Sequence, residues 1–441
     1  MVDNSASFFS DSPGQPPGMA TTFVAHYSEI ALKGRNRPEF VRMLKRNLGK
    51  ALLAHGPQIS AMQGRIFIQA DGEQSEVARK LSEVFGLAWF AEASDVRAAY
   101  EEIQSAVLER ARSSSGNTFK IDPRRSDKSF PIGSHELASR LGAEVVSRTG
   151  KKVNLSRPEV TLHVDVVGKR ALVYSEKLKG LGGLPVGTAG RVMHLFSGGI
   201  DSPVAAWLLM KRGCRPVYVH FYLAPTAEAP LGSKVTGLVR RLSVYGGKST
   251  LVLLPFSYYQ LATFGVPEEL EPSLFRRFMR LTAEALAPRF GASGVSTGDS
   301  LSQTASQTLW NIGAFDEGSS LPVLRPLLTY DKEEIVSLAR RIGTYELSLE
   351  EYRDCCSIIS RHPRTRAKAS LVSKYSAELG FRELAWKTIE EGTLFSHNPS
   401  TGESRHAPLS VTLSRAALRP SSDPRSAGGV DSSRRSAEAK L

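Results

Sequence analysis

The six residues Ser197-Gly198-Gly199-Ile200-Asp201-Ser202 constrain this chain more than any other stretch. They follow an apolar run at residues 192–196 and lead into 203–212, which reads as a helix, so the local unit is strand, tight turn, helix. Two adjacent glycines let backbone N–H groups approach phosphate oxygens, and a helix N-terminus adds its partial positive charge. Asp201 and Ser202 carry the short oxygen-bearing side chains expected to cap the first N–H groups of that helix. The loop is not the GxxxxGK[ST] of kinases and GTPases, which excludes that class.

From residue 192 onward strands and helices alternate. Strands fall at 216–221, 250–254 and 294–297, and helices at 234–245, 272–286, 302–310 and 331–341. Near-continuous apolar strands in such alternation predict an α/β architecture with a doubly wound parallel sheet covered on both faces. Ligands of these sheets sit beyond the C-terminal strand ends, where the 197–202 turn falls.

Upstream, residues 21–93 read as a small α+β unit with a basic amphipathic helix carrying Phe40, Met43, Leu44, Leu48 and Leu52. Residues 94–180 form a second unit, with strands at 118–121, 160–166 and 171–174 and a helix at 132–146. This unit is rich in cations, among them Lys120, Arg124, Arg125, Lys128, Arg140, Lys151 and Lys152. The glycine-rich turn at 180–187 leads into the α/β unit, 181–395. Residues 1–20 and 396–441 are Ser/Pro-rich with little apolar periodicity, and are expected to be a disordered extension and a disordered tail.

The net charge of +13 over 441 residues implies a large anionic partner, nucleic acid before an acidic membrane surface. No apolar stretch has the length of a membrane span, and the N-terminus lacks the pattern of a secretory signal, so no membrane association is expected. Three cysteines, Cys214, Cys355 and Cys356, form no disulfide framework and fit a reducing, cytoplasmic location.

The SGGxDS loop resembles the PP-loop, the pyrophosphate-binding signature of enzymes that cleave ATP to AMP and adenylate a substrate. Five further segments extend the likeness: residues 27–37 (YSEIALKGRNR), the 180–187 turn, TGDSLSQ at 297–303 with SQT at 306–308, LRPL at 324–327 with YDK at 330–332, and CSIISRHP at 356–363. In that order they make the chain resemble the tRNA 4-thiouridine synthetases, also called tRNA uracil 4-sulfurtransferases. The resemblance covers roughly residues 21–393. It implies an N-terminal ferredoxin-like domain, a THUMP domain for RNA and a PP-loop ATPase domain. It also implies the reaction, replacement of O4 of the uridine at position 8 of tRNA by sulfur, with ATP and Mg²⁺ as cofactors.

The same resemblance assigns roles. Ser197, Gly198, Gly199, Ile200, Asp201 and Ser202 are expected to hold ATP, with Gly298, Gln307 and Arg325 nearby; Gln303, Ser306 and Gln307 are expected on one helix. Asp201 is the expected Mg²⁺ partner, because hard cations prefer carboxylate oxygen. Lys332 is expected to neutralise charge on the α-phosphate as the adenylate forms. Cys356 is the expected persulfide carrier, loaded by a cysteine desulfurase, since no cysteine follows it that a rhodanese domain would use. The resolving thiol stays open between Cys214, Cys355 and an external reductant, with Cys214 expected near the loop's end of the sheet. The basic residues of 94–180 are expected to grip tRNA through its phosphates, and a homodimer is expected. Two rival readings are an Fe–S enzyme using the three cysteines and a non-catalytic tRNA-binding protein.

Overall fold

The computed structural model describes residues 20–126, 130–355, 359 and 364–412. Strands β1 (Ala20–His26), β2 (Gln58–Met62), β3 (Arg65–Asp71) and β4 (Trp89–Glu92) form an antiparallel sheet in the order β4–β1–β3–β2. Side chains alternate along a strand, and both faces of this sheet are covered. Phe23, Ala25, Ile66 and Ile68 pack on the helices Arg37–Ala51 and Gln74–Ser82 through Leu44, Leu48, Val77 and Leu81. Val24 and Phe67 point the other way, into a cluster shared with the second domain.

That domain contains β5 (Ser94–Arg97), β6 (Thr118–Arg125), β7 (Lys152–Val153), β8 (Val160–Val167) and β9 (Arg170–Tyr174), ordered β5–β9–β8–β6–β7. Leu162, Val164 and Val166 face the helices Tyr100–Ser113 and Ser134–Thr149. Val167, Leu172 and Tyr174 join Val24, Phe67 and Ala91 of the first domain. A short strand, β10 (Leu178–Lys179), pairs with β4, so the end of the expected second unit returns to the first sheet.

The third sheet holds β11 (Arg191–Leu195), β12 (Arg215–Tyr222), β13 (Ser249–Pro255), β14 (Ala292–Ser296), β15 (Val323–Leu324), β16 (Thr393–Asn398) and β17 (Glu403–Pro408), in the order β15–β14–β11–β12–β13–β16–β17. Strands β15 to β13 along this order are parallel. One face packs on helices Asp201–Lys211, Lys234–Gly246 and Lys332–Ile342. The other packs on Glu271–Phe290, Leu309–Asp316, Ala369–Glu378 and Phe381–Glu390. This is the doubly wound α/β domain that the alternation predicts.

The expected tail from 396 is corrected for its first part. β16 pairs antiparallel with β13 and β17 pairs with β16, with Phe395 buried. Main-chain pairing to an existing edge, not side-chain periodicity, orders this polar hairpin. Residues 1–19 and 413–441 lie outside the described residues.

Candidate functional site

Strand order runs β11–β12–β13 on one side and β14–β15 on the other, so β11 and β14 flank the topological switch point. A crevice opens there, beyond the C-terminal strand ends. The 197–202 loop leaves β11 and the 297–307 loop leaves β14, and the two meet so closely that a Cβ at Gly298 would lie 2.9 Å from the Ser202 nitrogen. His194, fully buried on β11, braces the junction. Its Nε2–H donates to the Ser202 carbonyl (2.9 Å), which can only accept, so Nδ1 accepts from the Ser296 hydroxyl (2.8 Å). Burial lowers the His194 pKa to about 4. The Ser202 hydroxyl closes the loop, accepting from the Ser197 N–H (3.1 Å) and donating to the Ser197 carbonyl (2.8 Å). The Ser197 hydroxyl accepts from the Gly199 N–H (3.3 Å). The expected side-chain capping of helix Asp201–Lys211 by Asp201 and Ser202 does not occur: its N-cap is Ile200, without a side-chain cap. The first turn therefore keeps its helix-end N–H groups without a side-chain cap, the arrangement that suits an anion.

Asp201, in that first turn, gathers two donors from distant segments. Lys332 Nζ donates to Oδ1 (2.7 Å) and Gln303 Nε2 to Oδ2 (2.9 Å). Lys332 opens a helix fixed by a capping box between Asp331 and Glu334. Gln303 does not lie on the expected helix. It follows Ser302, which takes a left-handed φ of 63°, and the helix begins only at Leu309. Gln307 sits on the same turn, its carbonyl accepting from the Ser302 N–H (3.0 Å) and its Oε1 from the Ser300 N–H (3.4 Å). Ser306 meets the Thr304 hydroxyl at 3.1 Å. Gln303 Oε1 is buried without a hydrogen-bond partner among the described residues, beside the Asp201 carboxylate.

Arg325 is committed within the protein: its guanidinium donates to Asp299 (3.1 Å) and to both oxygens of Asp316 (2.9 and 2.6 Å), so it braces the loop. Arg276, missed in the sequence, completes the brace with two bonds to Asp299 (3.0 and 2.6 Å). Burial works to raise the Asp299 pKa, but the two guanidinium groups outweigh it and hold it below the usual range.

The cysteines separate. Cys214 follows the loop helix, which carries the chain to the opposite end of the sheet: Arg215 pairs with Arg191, at the start of β11. It is nearly buried, and burial raises its thiol pKa despite Arg212. This overturns its expected position near the loop. Cys355 lies at the correct end, but buried, its thiol donating to the Phe221 carbonyl (3.2 Å). Six strand residues, about 20 Å, separate those levels of β12, so a cluster held jointly by Cys214 and Cys355 of one chain is ruled out. Cys356 lies outside the described residues. The signal for His194 was present in its short spacing from the loop, but a polar residue in an apolar run carries no periodicity.

Three family models match in order: the ThiI ferredoxin-like domain over residues 22–91, the THUMP domain over 93–176, and "Thiamine biosynthesis protein (ThiI)" over 187–381. A probable tRNA sulfurtransferase of Moorella thermoacetica is 37% identical over 86% of this chain and 99% of its own length. The chain belongs to the ThiI family. Within that family, a probable tRNA sulfurtransferase of Geobacillus kaustophilus is 39% identical over 86% of this chain and 96% of its own. The crystal structure of a 4-thiouridine synthetase–RNA complex with bound ATP superposes with a TM-score of 0.79 at 32% identity, covering 86% of this chain and all of that one.

The THUMP domain of this ThiI-family chain divides the expected RNA-binding cations. Arg125 donates to the Phe130 and Ile132 carbonyls (both 3.0 Å) and to Ser134, tying residues 130–134 to the end of β6. Lys151 donates to the Ser114 (2.8 Å) and Gly116 carbonyls. Both are structural braces. Arg140 pairs with Glu136 along one helix, and Arg124 lies 3.5 Å from Asp122. Lys152 is exposed on the edge strand and Lys120 is half-buried on β6. Lys128 lies outside the described residues.

Proposed function

We propose that this chain is an ATP-dependent tRNA sulfurtransferase that makes 4-thiouridine at position 8 of tRNA. The observation that carries the reading is the convergence of Lys332 and Gln303 on Asp201, in the uncapped first turn beyond the SGG loop at the sheet's switch point. ATP activates a poor electrophile. The uracil O4 attacks the α-phosphorus, pyrophosphate leaves, and O4 then departs as part of AMP. In this reading the loop N–H groups hold the pyrophosphate, and Lys332 neutralises charge that grows on the α-phosphate. Mg²⁺ fits the donor set: the Asp201 carboxylate has acceptor capacity beyond its two bonds, and the Gln303 Oε1 beside it is unused. When bound, the ion would offset phosphate charge.

Sulfur then arrives on Cys356 as a persulfide loaded by a cysteine desulfurase. The terminal sulfur forms the C4–S bond as the C4–O bond breaks and AMP leaves. A thiol then attacks the sulfur of Cys356, releasing the thiouridine sulfur and leaving a disulfide. The placement of Cys214 and the burial of Cys355 favour an external thiol for that step. Among the described residues no helix is long and apolar enough to cross a membrane. Work on tRNA in the cytoplasm by a homodimer completes the proposal.

The test combines the protein with unmodified tRNA, ATP, Mg²⁺, cysteine, a cysteine desulfurase and a thiol reductant, followed by digestion and mass analysis for 4-thiouridine. Product from the wild type and none from Cys356→Ser is the expected result. Product from both moves the sulfur carrier elsewhere, and RNA binding without pyrophosphate release reduces the protein to a tRNA-binding one.

A further inference from the structure

Residues 348–355, the chain that delivers Cys356, are fastened to the nucleotide loop by side chains to which the proposed reaction gives no role. His220, near the end of β12, donates from Nδ1 to the Phe196 carbonyl (2.8 Å), the residue just before the SGG loop. That bond fixes the tautomer, so Nε2 must accept, and it accepts the Tyr352 hydroxyl proton at 2.7 Å. Lys234 makes a parallel connection. Its Cε lies against Gly198, where a Cβ would stand 2.8 Å away, while Nζ donates to the Ser348 (2.8 Å) and Glu350 (2.7 Å) carbonyls. Just beyond, Asp354 bridges to Tyr222 and the Cys355 thiol to the Phe221 carbonyl.

Two residues thus touch the nucleotide loop on one side and the incoming segment on the other. Packing alone does not require this, since apolar side chains of similar volume would fill the space without desolvating an imidazole, a phenol and an ammonium group. Burial lowers the His220 pKa, against Asp354, and raises that of Tyr352, so the pair is neutral at pH 7. Cys356 is the fourth residue after Tyr352, so the two Cα atoms lie at most about 14 Å apart. Where Tyr352 is held therefore bounds where the cysteine sulfur can be.

We propose that His220, Tyr352 and Lys234 are positioning residues that register the sulfur-carrying segment against the nucleotide loop, so that sulfur transfer depends on them while nucleotide activation does not. The inference rests on the sulfurtransferase reading, and its test separates the two half-reactions in the full chain. Tyr352→Phe, Lys234→Met and Lys234→Arg are compared with the wild type for tRNA-dependent pyrophosphate release and for single-turnover 4-thiouridine formation. Tyr352→Phe and Lys234→Met are expected to keep pyrophosphate release within about twofold and to lose at least tenfold in 4-thiouridine. Lys234→Arg is expected to recover most of the loss. A parallel fall in both half-reactions, or no fall in either, overturns the assignment. Tyr352→Phe removes one oxygen and keeps the ring, so its result stands even where Lys234→Met fails to fold. A wild type that releases pyrophosphate but makes no 4-thiouridine fails the sulfurtransferase reading itself, and this inference with it.

Discussion

His194 lies between Ser296 and Ser202 with both ring nitrogens committed, and its pKa falls from 6.5 to about 4. In the unfolded chain it takes up a proton near pH 6.5, and in the folded chain only near pH 4. The unfolded state therefore binds more protons between those values, so stability is complete above pH 6.5 and is lost as pH falls toward 4. At pH 5.5 the loss from this one residue is about 1.4 kcal/mol relative to pH 8. His194→Gln is expected to flatten that share of the pH dependence, measured as the difference between urea midpoints at pH 8 and 5.5. An unchanged difference would show that the imidazole is not buried neutral. Cys214 gives an opposite expectation. At the far end of the sheet, Cys214→Ser should leave 4-thiouridine formation within about twofold of wild type, and a tenfold loss would restore it as the resolving thiol.

In the proposed reaction the two loops at the switch point are the element that holds the nucleotide. Gly298→Ala places a methyl 2.9 Å from the Ser202 nitrogen and 3.0 Å from its Cα, and backbone on both sides cannot yield as a flexible side chain would. The loops are expected to part, raising the KM for ATP at least tenfold with little change in the far-UV spectrum. An unaltered KM would mean that their close approach is irrelevant to the nucleotide. The strand–turn–helix unit and the alternation that builds this sheet were legible in the sequence because backbone preference, apolar runs and turn residues agree there. One continuous helix through Gln303, Ser306 and Gln307 does not form, because a left-handed Ser302 breaks a stretch whose composition permits a helix; Ser306 and Gln307 fall on a short 3-10 turn, Ala305–Gln307, and Gln303 lies before it. The β16–β17 hairpin was unreadable for a different reason. Its polar residues gain order from an edge that β13 offers, a partner about 140 positions away. The Arg325 brace and the Lys234 contacts are likewise tertiary pairings, and no local pattern announces them.

At the scale of the whole molecule, the ferredoxin-like and THUMP domains are joined by a shared apolar cluster and by an ion pair within it. Arg65 of β3 donates from Nε to Asp165 of β8 (2.9 Å) and from Nη1 to the Ser126 hydroxyl (2.7 Å), and both charged side chains are nearly inaccessible. Tyr174 adds a bond to the same Asp165 oxygen (3.3 Å). Removing one partner of such a pair strands the other in low dielectric, at a cost of about 3–5 kcal/mol, whereas replacing both by apolar groups is often neutral. Asp165→Leu is therefore expected to destabilise the joint strongly, and Arg65→Met with Asp165→Leu to recover most of that loss. The ATPase domain meets its nucleotide through other residues, so the KM for ATP should stay within about twofold in both variants. Affinity for tRNA should fall in the single variant alone, because an extended RNA gains from both domains only while they hold one orientation. Urea unfolding followed by RNA titration at fixed salt reads both effects. Equal RNA affinity in the wild type and in Asp165→Leu would mean that the RNA is held by one domain, and that the buried pair serves stability without shaping the surface the RNA meets.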